Sequence, residues 1–178
     1  MITVLVSVGT DHHPFARLLD WAAEVQSRID ATVVVQRGAT PARPDLESFD
    51  YLPAEQLAER MQTADAVVCH GGPGTIDLCR SAGHRAIVVA RDPAHGEHVD
   101  DHQIRYSTKL ANDSEIDLAT TCDEMIRLLS LPRPALLDDN RLSAARSADR
   151  FAELADQLLD GELERRRWKD RFLFRRTR

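Results

Sequence analysis

The sequence predicts a doubly wound α/β fold built on one parallel sheet, and three observations support this. Four short apolar runs, Ile2–Val8, Thr32–Val35, Ala66–Cys69 and Ala86–Ala90, are rich in valine or isoleucine and show little alternation. Strands look like this when helices cover both faces of their sheet. Amphipathic helical patterns lie between the runs, and the regular alternation of strand and helix implies parallel strands joined by right-handed crossovers. A Rossmann-like sheet of this kind binds ligands outside the carboxyl ends of its strands. The loops after Val8, Val35, Cys69 and Ala90 are therefore the places to search.

The first run begins at the N-terminus without a basic segment or a small-residue cleavage site, so it reads as a strand and not as a signal peptide. Phe15, Leu18, Leu19, Ala22 and Ile29 then recur at helical spacing. Residues 37–50, with Pro41 and Pro44, read as a loop before a short Phe49–Leu52 segment. A helix over 53–63 follows Pro53, a good first-turn residue, and sets Leu57 and Met61 four apart on one face. The next helix starts near Pro73 and stops at Gly83 after about Ala82. Two more helices are expected at about 99–111 and about 122–130, with a weak strand at Glu115–Leu118 between them. Phe151, Leu154, Ala155 and Leu158 mark a last amphipathic helix at about 140–160. The expected organisation is one domain over 1–161 and a basic, aromatic tail over 162–178.

Composition narrows the function classes. The 178 residues suit one domain of ordinary size, and 43% hydrophobic content sustains a core. No run approaches the roughly 18–20 apolar residues of a membrane span. Cys69, Cys79 and Cys122 are odd in number and widely spaced, so they form neither a disulfide framework nor a zinc pattern. A reduced, cytoplasmic protein is expected. The net charge of −6 is uneven: residues 165–178 carry +7, which leaves −13 on the rest. An acidic body argues against a general nucleic-acid binder.

Three motifs can carry chemistry. The first is His70-Gly71-Gly72-Pro73-Gly74-Thr75, placed after a buried strand and at the start of a helix. Its glycines allow a tight turn and close backbone approach, and a helix N-terminus offers N–H groups and about half a positive charge. That combination suits a diphosphate, with Thr75 as a further hydroxyl donor; the plainer reading is a simple strand-to-helix turn. A Walker loop is absent, and the Val8-Gly9-Thr10-Asp11 sequence after the first strand lacks the dinucleotide fingerprint.

The second motif runs from His95 to Gln103 and admits three readings. His95, His98 and His102 at spacings of three and four invite a metal. A solvated polar helix start explains the same residues without a ligand. Alternatively, Asp101 and Gln103 have the donors and acceptors to recognise sugar or ribose hydroxyls. The third motif is Gly9-Thr10-Asp11-His12-His13-Pro14, where Gly9 and Thr10 can approach a phosphate or glycosyl group. His12 and His13 are candidate acid–base residues there, against a plain reading as exposed histidines.

With these motifs in this order the chain resembles the C-terminal domain of glycosyltransferase family 28. More narrowly, it resembles the small stand-alone subunits of bacterial exopolysaccharide synthesis, which in turn resemble the donor-binding subunit of the eukaryotic dolichol-linked N-acetylglucosaminyltransferase. The resemblance rests on Val8-Gly9-Thr10, on Asp65 through Thr75, and on Gly96 through Gln103, and covers residues 1 to about 130. It implies the C-terminal half of a GT-B fold that binds a UDP-sugar and needs no cofactor or metal. The Gly71–Thr75 turn, with His70, would hold the diphosphate, while Asp101 and Gln103 would meet sugar or ribose hydroxyls.

One position departs from the family. Relatives often carry an acidic residue eight positions after the motif histidine, where it contacts ribose. Leu78 stands there in this chain, and Asp77 is the acid one residue earlier. A shift of one turns a helical side chain by about 100°.

The chain has the length of one GT-B half. The resemblance therefore implies an inverting, metal-independent hexosyltransferase subunit, active with a membrane-associated, acceptor-binding partner that presents a lipid-linked sugar. The other reading is a non-catalytic nucleotide-sugar-binding or regulatory module. The tail, with Trp168, Phe172 and Phe174 among its basic residues, is expected to dock on the partner or on the anionic inner face of the plasma membrane.

Overall fold

The computed structural model describes residues 1–132. Within them, six parallel strands form one sheet: β1 (Ile2–Ser7), β2 (Ala31–Gln36), β3 (Glu47–Phe49), β4 (Ala66–Cys69), β5 (Ile87–Val88) and β6 (Asp117–Leu118). The helices are α1 (Ala16–Arg28), α2 (Ala54–Thr63), α3 (Pro73–Ser81), α4 (His102–Asn112) and α5 (Cys122–Leu129). The expected helix at 140–160 and the tail at 162–178 lie outside the described residues.

Both faces of the sheet are buried, which explains the unalternating strand sequences. Val4 and Val6 of β1 pack with Leu18, Leu19, Ala22 and Val25 of α1 and with Met125 and Leu128 of α5. Leu5, pointing the other way, packs with Leu57 and Met61 of α2, Ile76 and Cys79 of α3, and Leu110 of α4. Each valine, leucine, isoleucine or methionine among them contributes roughly 1.5–3 kcal/mol on burial. A polar residue in either set would face a helix and not solvent.

The strand order is β3-β2-β1-β4-β5-β6. From β1 the chain builds outward to β2 and β3, then returns and builds the other way from β4. The order thus reverses between β1 and β4, which opens a crevice at their carboxyl ends. The register sets Ser7 beside Cys69, so Gly9 and His70 emerge side by side at that crevice.

Three elements differ from the expectation. β3 occupies Glu47–Phe49, inside the stretch read as loop. Its three residues pair with Val34–Gln36 at the sheet edge, and Glu47 is exposed, so no apolar run announces it. β5 is paired only at Ile87 and Val88, although Ala86 and Val89 are also buried. The helix expected from about 99 starts at His102. Asp100 accepts the His102 N–H at 3.1 Å, so the chain before His102 forms an Asx-type turn, while the N-cap residue Asp101 makes no side-chain cap bond.

Candidate functional site

The His70 motif lies at the crevice as expected, but most of its glycines answer to the chain itself. His70 is buried, and its ring is enclosed by two glycines: a Cβ on Gly9 would fall 2.3 Å from Cε1, and one on Gly72 would fall 2.3 Å from Nε2. Gly71 has φ +87, and a Cβ there would meet Ser107 Oγ at 2.7 Å and Val88 Cγ1 at 2.9 Å. Gly74 is different, because its Cβ would have nothing within 4 Å among the described residues. It lies in the first turn of α3, a helix that begins without a side-chain cap. The Thr75 N–H turns back to the Gly72 carbonyl at 3.0 Å.

Burial, helped by the positive charge of Arg91, pushes the His70 imidazole down to about 4. His70 is therefore neutral at pH 7, and its Nδ1 has no partner among the described residues. Burial also pushes the Cys69 thiol up to about 11, which makes it a poor nucleophile.

Gln103 and Ser107 are one turn apart on α4 and both buried, and Ser107 packs against Gly71. Gln103 Oε1 and Ser107 Oγ have no hydrogen-bond partner among the described residues. Buried polar atoms are normally satisfied, so these two atoms, one of them against Gly71, are candidates to meet a polar ligand. Asp101 is exposed and pairs with Arg105 Nε at 3.1 Å. Asp77 pairs with Arg80 along α3 at 3.6 Å, and Leu78 packs against the core.

The loop after β1 separates its two histidines. His12 is 86% exposed and 3.8 Å from Asp11. His13 donates its backbone N–H and its ring Nδ1–H to Asp11 Oδ1 at 2.7 and 2.6 Å. Burial works against the Asp11 charge, but these bonds and Arg91 outweigh it and hold the carboxyl below its usual range. With Nδ1–H committed to a carboxylate, the His13 Nε2 lone pair is the one free to take a proton. Gly9 is buried and Thr10 is exposed at this same loop.

Arg91, Glu97 and Arg17 complete the crevice and were not expected from the sequence. Arg91 is fully buried and donates to the carbonyls of His13, Glu97 and Val8 at 2.7, 3.0 and 2.9 Å. Glu97 binds Arg17 through two bonds of 3.0 and 2.7 Å and accepts the Asp92 N–H at 2.9 Å. A charge directly after the apolar run Ala86–Ala90 was the available signal. Together these residues fasten the loop after β1 to the loop after β5.

His95 ends a three-residue 3-10 turn, Pro93–His95, and Gly96 follows at φ +69. That turn breaks the helical spacing on which grouping His95 with His98 and His102 depends. Among the described residues, the side chains close enough to share an ion are Asp11, His12 and His13, and separately His98, Asp100 and His102.

The family model of the glycosyltransferase family 28 C-terminal domain matches residues 3–158. Among solved structures, the chain is similar to a calicheamicin glycosyltransferase (15% identity, TM-score 0.56, covering 88% of this chain and 44% of that one). It is also similar to the glycotransferase of kitacinnamycin (20%, 0.55, 74% and 35%) and to a spinosyn forosaminyltransferase (19%, 0.53, 87% and 39%). At these identities the likeness is one of fold, and the chain spans less than half the length of each. No curated protein matches it. Among the described residues no helix is long and apolar enough to cross a membrane. A match over most of the chain, on a parallel sheet whose glycine turn sits at the switch in strand order, establishes the family: this chain belongs to the glycosyltransferase family 28 C-terminal domain family.

Proposed function

We propose that this chain is the donor-binding part of a hexosyltransferase that uses a UDP-sugar. The observation that carries the reading is the open space at Gly74, on an uncapped helix N-terminus, together with the partnerless Gln103 Oε1. The diphosphate lies on the Gly71–Thr75 turn, where helix N–H groups take the role that a cation plays elsewhere. Gln103 and Asp101 meet sugar hydroxyls, and the neutral His70 borders the phosphates through Gly9 and Gly72. Thr10 reaches the donor from the loop after β1.

In the reaction, the acceptor hydroxyl oxygen attacks the anomeric carbon on the face opposite the diphosphate. The bond from that carbon to the phosphate oxygen breaks, and its electron pair leaves with UDP, giving inversion. The fixed dipoles at α3 stabilise the charge that grows there. His13 Nε2 takes the hydroxyl proton, with Asp11 stabilising the imidazolium; His12 is exposed and stands further from that carboxylate. The acceptor is a lipid-linked sugar held by a membrane-associated partner subunit, and the basic tail at 162–178 docks the chain there. Co-expression with the adjacent gene's product, followed by a transfer assay, tests this. Product should form only with both chains and should fall strongly in His13→Ala. A pair that binds UDP-sugar but never transfers it supports the second reading, a binding module, which the packing of Leu78 at the ribose position favours.

A further inference from the structure

We propose that His98, Asp100 and His102 form a binding site for one first-row transition-metal ion, best suited to Zn2+, with Asp11 holding the far side of His98. The proposal does not rest on the donor reading, which places the diphosphate on α3 without a metal.

The candidate ligand atoms of the three residues all lie within 4.8 Å of one another. His98 Nδ1 is 3.5 Å from Asp100 Oδ1, and His102 Nδ1 is bonded to the same oxygen. Zinc binds histidine nitrogen and carboxylate oxygen at about 2.0–2.2 Å in a tetrahedron, so its ligand atoms sit roughly 3.3–3.6 Å apart. The His98–Asp100 spacing already matches. The Asp100 backbone N–H, which reaches His98 Nδ1 at 3.4 Å, has to give way, and the His102 ring, on a half-exposed residue, has to draw back. Two imidazoles and one carboxylate leave the fourth position to water. Mg2+ prefers an all-oxygen octahedron and is poorly served by this set.

A second observation points the same way. The other nitrogen of His98, Nε2, is 3.5 Å from Asp11 Oδ2, on a loop far away in sequence. Asp11 is itself fixed by the His13 backbone and ring. A carboxylate behind a histidine favours the proton on the far nitrogen and leaves the near one as an acceptor, the state in which metal-binding histidines are held. Here that acceptor meets the Asp100 N–H at 3.4 Å, a long contact that an ion would replace. The His98 side chain is only 11% exposed, so this orientation is held by packing. Gln103 follows His102 directly, so an ion here would fix the first turn of α4 next to it.

The test is a titration of the nucleotide-free, chelator-treated chain with Co2+ and Zn2+. One ion should bind per chain, and Co2+ should give visible d–d bands without a sulfur charge-transfer band and be displaced by Zn2+ but not by Mg2+. His98→Ala and His102→Ala should each weaken Zn2+ binding at least tenfold, and Asp11→Asn by about 10–100-fold. His95→Ala should leave it unchanged. No cobalt bands in the wild type, a sulfur band implicating Cys122, or wild-type Zn2+ affinity in either histidine variant would overturn the proposal. The wild-type spectrum decides the matter even if a variant fails to fold. UDP affinity measured in EDTA is a separate readout, and its loss would count against the donor reading and not against this site.

Discussion

The imidazole of His70 sits directly over Gly9, so close that a Cβ on Gly9 would fall 2.3 Å from its Cε1. Gly72 borders the same ring from the other side. The neutral histidine at the end of β4 thus stitches the loop after β1 to the start of α3, and two glycines exist to admit it. The motif's glycines divide into those that build the crevice and one, Gly74, that leaves it open.

That division predicts opposite stability effects. Gly71→Ala should lose about 1–3 kcal/mol, because its φ of +87 is strained for any side chain and the new Cβ strikes Ser107 and Val88. Gly74→Ala should be neutral or gain up to about 1 kcal/mol, since alanine is the better helix former and nothing lies in its way. Chemical denaturation of the two variants checks both. Equal losses would mean that Gly74 also serves the fold.

Acid should destabilise the domain through His70. Its folded pKa of about 4 lies below the unfolded value of 6.5. Between those values the unfolded chain binds the proton and the folded chain does not. Stability is therefore fully present above the unfolded value and falls as pH drops towards 4, at up to about 1.4 kcal/mol per pH unit from this group. Denaturation midpoints at several pH values, compared with His70→Gln, should show a shallower slope in the variant. An identical slope would remove His70 as the cause.

Arg91 should matter more than any exposed charge near the crevice. Arg91→Met leaves the carbonyls of His13, Glu97 and Val8 without their buried donor. Each unpaired acceptor costs about 1–3 kcal/mol, so a total loss of at least about 3 kcal/mol is expected in urea denaturation. A loss under 1 kcal/mol would show that the loops hold together without it.

Gln103→Ala should weaken UDP-sugar binding more than UDP binding, by about 1–3 kcal/mol, because the orphaned Oε1 is assigned to a sugar hydroxyl. Equal losses for both ligands would move Gln103 from sugar to ribose. No loss for either would take it out of the site.

How much of this was legible in the sequence depends on the range of each interaction. Val4, Leu5 and Val6 announced a strand buried on both faces because local composition carries that information. The glycine turn and the helix behind it were legible for the same reason. β3 was not, because Glu47–Phe49 is a short edge strand whose identity comes from its partner Val34–Gln36. The start of α4 lies later than expected because Asp100 closes a turn on the His102 N–H, and in the sequence it looks like one more polar residue in a polar run. The pairing of Arg17 with Glu97 spans 80 positions, and no local pattern reports it. The resemblance supplied the ligand class, whereas the role of each glycine appeared only when its neighbours were in view.

The central claim is that a UDP diphosphate binds at the N-terminus of α3 without a metal. Calorimetry with UDP in the presence of EDTA, on the wild type and on Gly74→Val, tests it most directly. The valine fills the space that is open at Gly74 and is compatible with the helix. The account predicts that EDTA leaves wild-type binding intact and that Gly74→Val binds at least tenfold more weakly, about 1.4 kcal/mol, with an unchanged thermal midpoint. Unchanged affinity in the variant, or loss of wild-type binding in EDTA, would contradict it.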